Sequence, residues 1–312
     1  MAVGVVTLVG TLACVFVALQ LLPGGYASVV LGPRATEQAR QAAEARYGLD
    51  RPVAEQFIRW LYSAAHGDLG TSLVSHQPVV QELAHRLPAT VQVAVSAAVI
   101  SVVLGVALGM VWSLAGRRPL VALGSRLFGV LSLSIPDFVL GMVLLLVAST
   151  RGWGLSGQQW VALSEDPVAS LRSTLLPSVA LGLGGVALVM RTLRESIAST
   201  LTEPYVVSAV VRGLPPRTIV ARHVLRNSSP SSITVVALLL GSFLGGTVVV
   251  ETIFSVPGIG LFFANSVRSR DFAVVQGVVL VTATVCIVAN MLADVAHGLV
   301  DPRVARQGRG QR

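Results

Sequence analysis

Tyr205-Val206-Val207-Ser208-Ala209-Val210-Val211-Arg212-Gly213-Leu214, then Pro215-Pro216, then Arg222-His223-Val224-Leu225-Arg226-Asn227 and, three residues on, Pro230. This stretch is short, basic and amphipathic, and it lies between the apolar runs Leu175–Met190 and Ile233–Val250. Charge is costly inside a bilayer, so such an island has to face water. Its pattern reads as helix, glycine turn, helix. A water-facing elbow between two spans places the chain among helical membrane proteins and suits the docking of a soluble partner.

Composition agrees. The 312 residues are 53% apolar and 12% charged, against about 25% charged in a soluble domain. Mean hydropathy is +0.75. The net charge of +8 is therefore read loop by loop rather than as a nucleic-acid footprint. All 23 basic residues are arginine. Cys14 and Cys286 fall in apolar runs without Cys-x-x-Cys or Cys/His spacing, so they read as small buried hydrophobes and no metal site is expected.

A spanning helix needs about 20 apolar residues. Six segments qualify or nearly so: Ala2–Leu22, Thr90–Leu114, Leu127–Ala148, Leu175–Met190, Ile233–Val250 and Phe272–Ala293. None alternates like a barrel strand. Six transmembrane helices in an all-α membrane protein are expected. With the N-terminus inside, the inner segments hold 13 arginines against three acids, and the outer segments hold ten of each. That imbalance favours both termini in the cytoplasm. Ala2–Leu22 lacks a basic lead and a clean cleavage site, so it reads as an uncleaved first span.

Residues 23–87 are too long for a connector and read as a small helical extracytoplasmic subdomain between the first two spans. Thr36 is placed to cap a polar helix ending at Gly48; Asp50 is placed to cap a second, with Pro52 in its first turn. Val53, Phe57, Trp60, Leu61 and Ala64 then share one face, which reads as packing against neighbouring helices. Residues 88–300 form the five-helix core, with an inner loop at about 203–230, and 301–312 form a cytoplasmic tail.

Polar groups in the spans are few. Asp137 follows Pro136 inside the third span. It either lines a pathway for a cationic group or caps amides freed by the proline. Glu251 reads as interfacial at the outer end of the fifth span or as bordering the pathway, and Asp294 as pairing with a nearby arginine. The pairs Gly105/Gly109 and Gly241/Gly245, and Gly182-Leu183-Gly184-Gly185, permit close helix contact within a bundle or a dimer. Walker A, His-Glu-x-x-His and Gly-x-Ser-x-Gly motifs are absent, so no catalytic site is expected in this chain.

Residues Tyr205 to Leu214 resemble the "EAA" coupling loop of ABC-transporter permeases, most closely the first permease subunit of the oligopeptide/dipeptide/nickel family. Tyr205, Val206, Ala209, Gly213 and Leu214 match its pattern, Arg212 replaces lysine and Ser208 replaces threonine. Arg222-His223, Leu225-Arg226-Asn227 and Pro230 follow in register, and Arg191 and Arg194 stand where the family has its pair of arginines. The same order holds for Tyr47-Gly48-Leu49-Asp50-Arg51-Pro52, Gly67-Asp68-Leu69-Gly70-Thr71-Ser72, Arg86-Leu87-Pro88-Ala89-Thr90, Ser134-Ile135-Pro136, Glu251-Thr252-Ile253-Phe254, Pro257-Gly258-Ile259-Gly260 and Asp301-Pro302-Arg303. Each is weak alone; their order and spacing together are specific. The chain departs from the family at Leu22-Pro23-Gly24-Gly25-Tyr26, at Asp137, in its missing N-terminal basic stretch, and at Val207, Val210 and Val211, which replace two basic residues and an alanine.

The resemblance implies a type I ABC importer permease of the bacterial inner membrane. Its partners would be a second permease, two cytoplasmic ATPases that bind ATP and Mg, and an external solute-binding protein. Glu203, Tyr205, Ala209, Arg212, Gly213, Leu214 and Pro216 would serve the ATPase contact; Pro136, Asp137 and Glu251 would serve the pathway. The solute would be a short peptide, or else a nickel complex or another small solute. A secondary transporter and a non-transporting scaffold are the readings from other classes.

Overall fold

The computed structural model describes residues 2–21, 36, 38, 51–114, 119–153, 160–215, 218–219 and 226–300, with the backbone alone at 2–3, 114, 226–234, 237 and 292–300. Among the described residues the chain forms ten α-helices and no strand. They are α1 (Ala2–Gln20), α2 (Val53–Ala65), α3 (Val79–Leu114), α4 (Pro119–Ser134), α5 (Asp137–Thr150), α6 (Pro167–Leu201), α7 (Pro204–Val211), α8 (Arg226–Phe254), α9 (Ile259–Arg268) and α10 (Phe272–Val300). Three helices are long and apolar enough to cross a membrane, and up to five spans result if each bent pair counts as one; α1 adds a shorter apolar helix.

The helices correct several expected boundaries. The second span begins at Val79 and runs 36 residues, so Arg86 and Pro88 lie inside it. The third is two helices, α4 and α5, bent by 101°. Pro136 supplies the reason: it has no N–H to donate and holds the preceding residue out of helical geometry. Its φ of −60° and ψ of 142° start α5 afresh. The fourth is 35 residues long because Asp166 starts it early, accepting from the amides of Val168 and Ala169 at 2.9 and 3.1 Å, with Pro167 in the first turn.

The chain divides into two compact units. The first comprises Met1–Thr90 and Pro257–Val285, so residues 257–285 cluster with the N-terminal segment rather than with the rest of the core. Its centre is Leu69, Val79, Leu83, Ile259, Val274 and Val278. The α2 stripe packs on α1: Phe16 meets Phe57 edge-on at 5.4 Å and Trp60 at 6.4 Å. Pro52 stands just before α2 rather than in its first turn, its carbonyl accepting from Glu55 and Gln56. The polar helix from Thr36 to Gly48 and the Asp50 cap lie outside the described residues. Glu55 bridges Arg51 at 2.7 Å and Arg59 at 3.0 Å; the Arg51 hydrogen bond holds its carboxyl below the ordinary range.

The unit is clamped by a buried carboxylate. Asp271 accepts from the Ser72 hydroxyl at 2.6 Å and the Leu73 amide at 2.9 Å, while its other oxygen accepts from Val274 N at 3.4 Å as the cap of α10. Ser72 and Asp271 are both buried. The Gly-Asp-Leu-Gly-Thr-Ser segment thus has a mechanical role: its serine ties the 71–78 turn to the start of α10.

The second unit comprises Val91–Val256 and Cys286–Arg312. α6 lies at its centre, contacting α4, α5, α7 and α8. Glycine makes this packing possible where backbones touch. A Cβ on Gly182 would stand 2.8 Å from the Ala97 carbonyl, and one on Gly105 would stand 2.7 Å from Val189 Cβ. The small-residue spacings at these positions therefore serve contacts within the chain. Gly241 likewise faces Asn290 of α10, whereas Gly245 faces open space.

Candidate functional site

The elbow begins where α6 ends. Thr202 closes α6, and Glu203 turns extended (φ −69°, ψ 139°) because Pro204 follows it. The Glu203 carbonyl accepts from Val206 and Val207 at 3.0 and 3.1 Å, and Pro204 occupies the first turn of α7. Glu203 and Arg212 are thus the two caps of an eight-residue helix rather than members of it.

At the other end Gly213 has φ of 73°. Its amide donates to Val210 O at 2.9 Å, and the Leu214 amide donates to Ala209 O at 3.2 Å. This pair of bonds is a Schellman cap, in which a left-handed residue lets two terminal carbonyls be satisfied. After it, the Pro215 carbonyl accepts from Thr218 and Ile219. Pro216 lies outside the described residues.

One face of the elbow is internal. Val206, Ala209 and Ile219 are buried against Leu193 and Ile197 of α6, with Val106 and Met110 of α3 beside them. Ala209, expected among the partner-facing residues, is buried here and fastens α7 to its own chain. The other face is open: Glu203, Tyr205, Arg212 and Leu214 are exposed, and Val207, Val210 and Val211 are 51%, 58% and 81% exposed. Val207, Val210 and Val211 thus form an exposed apolar patch between Glu203 and Arg212.

The membrane acids lie apart in character. Pro136 and Asp137 sit at the α4–α5 break and are exposed. Among the described residues Asp137 accepts no capping bond; the Val139 and Leu140 amides are taken by the Pro136 carbonyl at 3.0 and 3.2 Å. Its Oδ1 would be 4.0 Å from a Cβ on Gly184, so the carboxylate faces α6. One turn on, Gly141 packs against Phe254 of α8 and Ala180 of α6. Glu251 is 0% exposed and among the largest fully buried side chains. Asp294 lies among residues whose side chains are not described.

Sequence reasoning missed Asp271 as a structural acid, although an acid directly before an apolar helix is an N-cap signal. It also missed how Arg126 and Arg194 gather with Ser125 beside α6; Arg194 donates to Ser125 Oγ at 2.5 Å. No spacing rule links Ser125 to Arg194 along the sequence.

Two family models cover the chain. The one described as "Binding-protein-dependent transport system inner membrane component" matches residues 101–306, and its N-terminal companion matches residues 1–94. A Sinorhizobium fredii protein named as a peptide ABC transporter permease is 30% identical, covering 93% of this chain and 92% of its own. A Brucella suis protein named as a peptide permease is 32% identical over 97% and 96%. The glutathione transport system permease protein GsiC of Escherichia coli is 33% identical over 93% and 92%. With its apolar helices, and with its capped, exposed elbow inside the matched residues 101–306, the chain belongs to the family of inner membrane components of binding-protein-dependent transport systems, the ABC-transporter permeases.

Proposed function

We propose that this chain is one of two permease subunits of an ATP-driven importer that takes up short peptides delivered by an external solute-binding protein. The exposed, glycine-capped α7 carries the proposal, because it is a rigid knob anchored to the central helix of its unit. Glu203, Tyr205, Arg212, Gly213, Leu214 and Pro216 form the face that meets one cytoplasmic ATPase, and Ala209 holds that face in place. The valines make this contact more apolar than a basic loop would. ATP and Mg belong to the two ATPases. Six spans, α1, α3, α4–α5, α6, α8 and α10, cross the bacterial inner membrane with both termini inside, as the arginine distribution supports.

Pro136 and Asp137 line the pathway, with Asp137 available to a peptide ammonium group. Glu251 is sealed within the bundle and acts on the pathway only by holding α8. Peptide as solute is supported by the relatives named for peptides and for glutathione, itself a tripeptide. The test is reconstitution with the second permease, the ATPases and the binding protein in vesicles. ATP-dependent accumulation of labelled di- and oligopeptides is expected. Accumulation of nickel complexes alone would overturn the peptide reading, and uptake driven by a proton gradient without ATP would overturn the importer.

A further inference from the structure

At the end of α6 that leads into α7, a cavity of about 240 Å³ opens between α4 and α6. Arg126, Arg191, Arg194 and Glu195 line it together with the apolar Val130, Leu133, Ala187 and Met190. Arg191 is engaged by Glu195 at 2.9 Å. Among the described residues, neither Arg126 nor Arg194 has a carboxylate within ion-pair distance. Arg194 instead donates to a neutral partner, Ser125 Oγ. Three arginines and one glutamate thus face one cavity, and among the described residues Arg126 and Arg194 are in no ion pair, in a chain that is only 12% charged.

The cavity is graded along its length. Arg126 and Leu133 are seven residues apart on α4, and so are Arg194 and Ala187 on α6, which is about 10 Å along each helix. From Arg126 to Leu133 on α4, and from Arg194 to Ala187 on α6, the lining therefore passes from cationic to apolar over roughly 10 Å. A small free anion uses only the cationic end. A molecule with a phosphate joined to acyl chains uses both, because guanidiniums bind phosphate through charge-assisted, forked hydrogen bonds and the chains cover apolar surface. Basic pockets between membrane helices at the water boundary suit such headgroups.

We propose that this cavity is a binding site for an anionic phospholipid, with its phosphate between Arg126 and Arg194 and its acyl chains along Val130, Leu133 and Met190. The lipid comes from the leaflet on the α7 side. Bound there, it joins α4 to α6 beside the helix end that bears α7. The site stands independently of the transported solute.

The test uses the full-length, delipidated chain in detergent, titrated with phosphatidylglycerol and phosphatidylcholine of matched chains and read by native mass spectrometry. The wild type is expected to retain phosphatidylglycerol preferentially. Each basic residue near an anionic headgroup contributes about fivefold, so the double variant Arg126→Gln/Arg194→Gln loses roughly 30-fold of that preference. Arg126→Lys/Arg194→Lys retains most of it, and an unchanged melting temperature shows that the Gln variant is folded. Arg191→Gln, already paired to Glu195, has a smaller effect. Equal retention of the two lipids, or a folded Gln variant that binds phosphatidylglycerol as the wild type does, overturns the site. Displacement of the lipid by millimolar inorganic phosphate overturns the lipid as its ligand and assigns a free anion instead.

Discussion

Replacing Gly213 separates a backbone requirement from a contact requirement. Its φ of 73° lies in the left-handed region, and no heavy atom stands within 4 Å of the place a Cβ would occupy. Among the described residues a side chain there meets no neighbour, so the effect on the fold is one of dihedral preference. An L-residue with a Cβ loses about 1–2 kcal/mol in that region. Alanine falls near the lower figure, roughly a fivefold loss of the capped population, and β-branched valine near the upper, roughly 30-fold. Asparagine tolerates the left-handed region and should resemble glycine. What opens is the pair of bonds from Gly213 and Leu214 to Val210 and Ala209, and with it the direction in which α7 leaves its last turn. In the proposed assembly, ATP-dependent uptake should fall in the order glycine and asparagine, alanine, valine. Membrane abundance, read by immunoblot, should stay constant. Wild-type uptake by Gly213→Val would refute the coupling role of the cap. Asparagine failing as badly as valine would refute the dihedral argument, because the side chain itself would then be at fault.

Asp271→Ala removes the acceptor of the Ser72 hydroxyl and the Leu73 amide. At about 1–3 kcal/mol for each donor left without its partner, exchange of the amides at 73–75 should accelerate by at least ~30-fold in hydrogen-exchange mass spectrometry; unchanged exchange would remove Asp271 as the clamp. Gly182→Leu would force a Cβ against the Ala97 carbonyl, and the overpacking should lower stability by about 1–3 kcal/mol or more; an unaltered melting temperature contradicts the close α3–α6 approach. On the pathway reading, Asp137→Asn should weaken uptake of peptides with a free ammonium group and spare blocked ones, and equal uptake of both counts against it. A glycine pair in α6, Leu188→Gly with Thr192→Gly, costs about 2 kcal/mol of local helix stability and should lower peptide moved per ATP hydrolysed; an unchanged ratio denies that α6 transmits the motion.

The elbow is legible in the sequence because its punctuation is chemical. Pro204 after Glu203 fixes a helix start, and Gly213 before Pro215 fixes a helix end; both follow from backbone rules that act within a few residues. The inward face of α7 is less legible. Val206 and Ala209 are buried while Val207, Val210 and Val211 are not, and an eight-residue helix made almost wholly of apolar residues offers no polar contrast to say which side packs. The break at Pro136 follows the same local rules that an apolar count overrides: the run 127–148 is hydrophobic on average, and hydropathy measures solvent preference rather than direction. Glu251 and Asp271 invert the usual expectation that acids mark surfaces, because long-range packing decides whether an acid is enclosed, and for Asp271 the partner Ser72 is 199 residues away.

α6 explains why these scattered features belong to one device. It begins at the Asp166 cap, passes Gly184 beside Asp137, and in its last turns presents Leu193 and Ile197, on which α7 is seated. From Gly184 to Ile197 is 13 residues, about 20 Å of continuous helix. A helix of that length bends little unless a proline or a missing side chain lets it, and between those residues the packing at Gly185, Val189 and Leu193 against α3 leaves little slack. On the proposed coupling role of α7, a push on it reaches the level of Asp137 as a tilt of one rod rather than through a chain of side-chain rearrangements. The broken α4–α5 pair beside it can answer such a tilt because its hinge at residues 135–136 lacks a continuous helical ladder. In the importer proposed above, a stiff helix packed against a jointed one turns docking at one end into opening or closing at the other, with the energy of the switch in the contacts of α6 with α4 and α5.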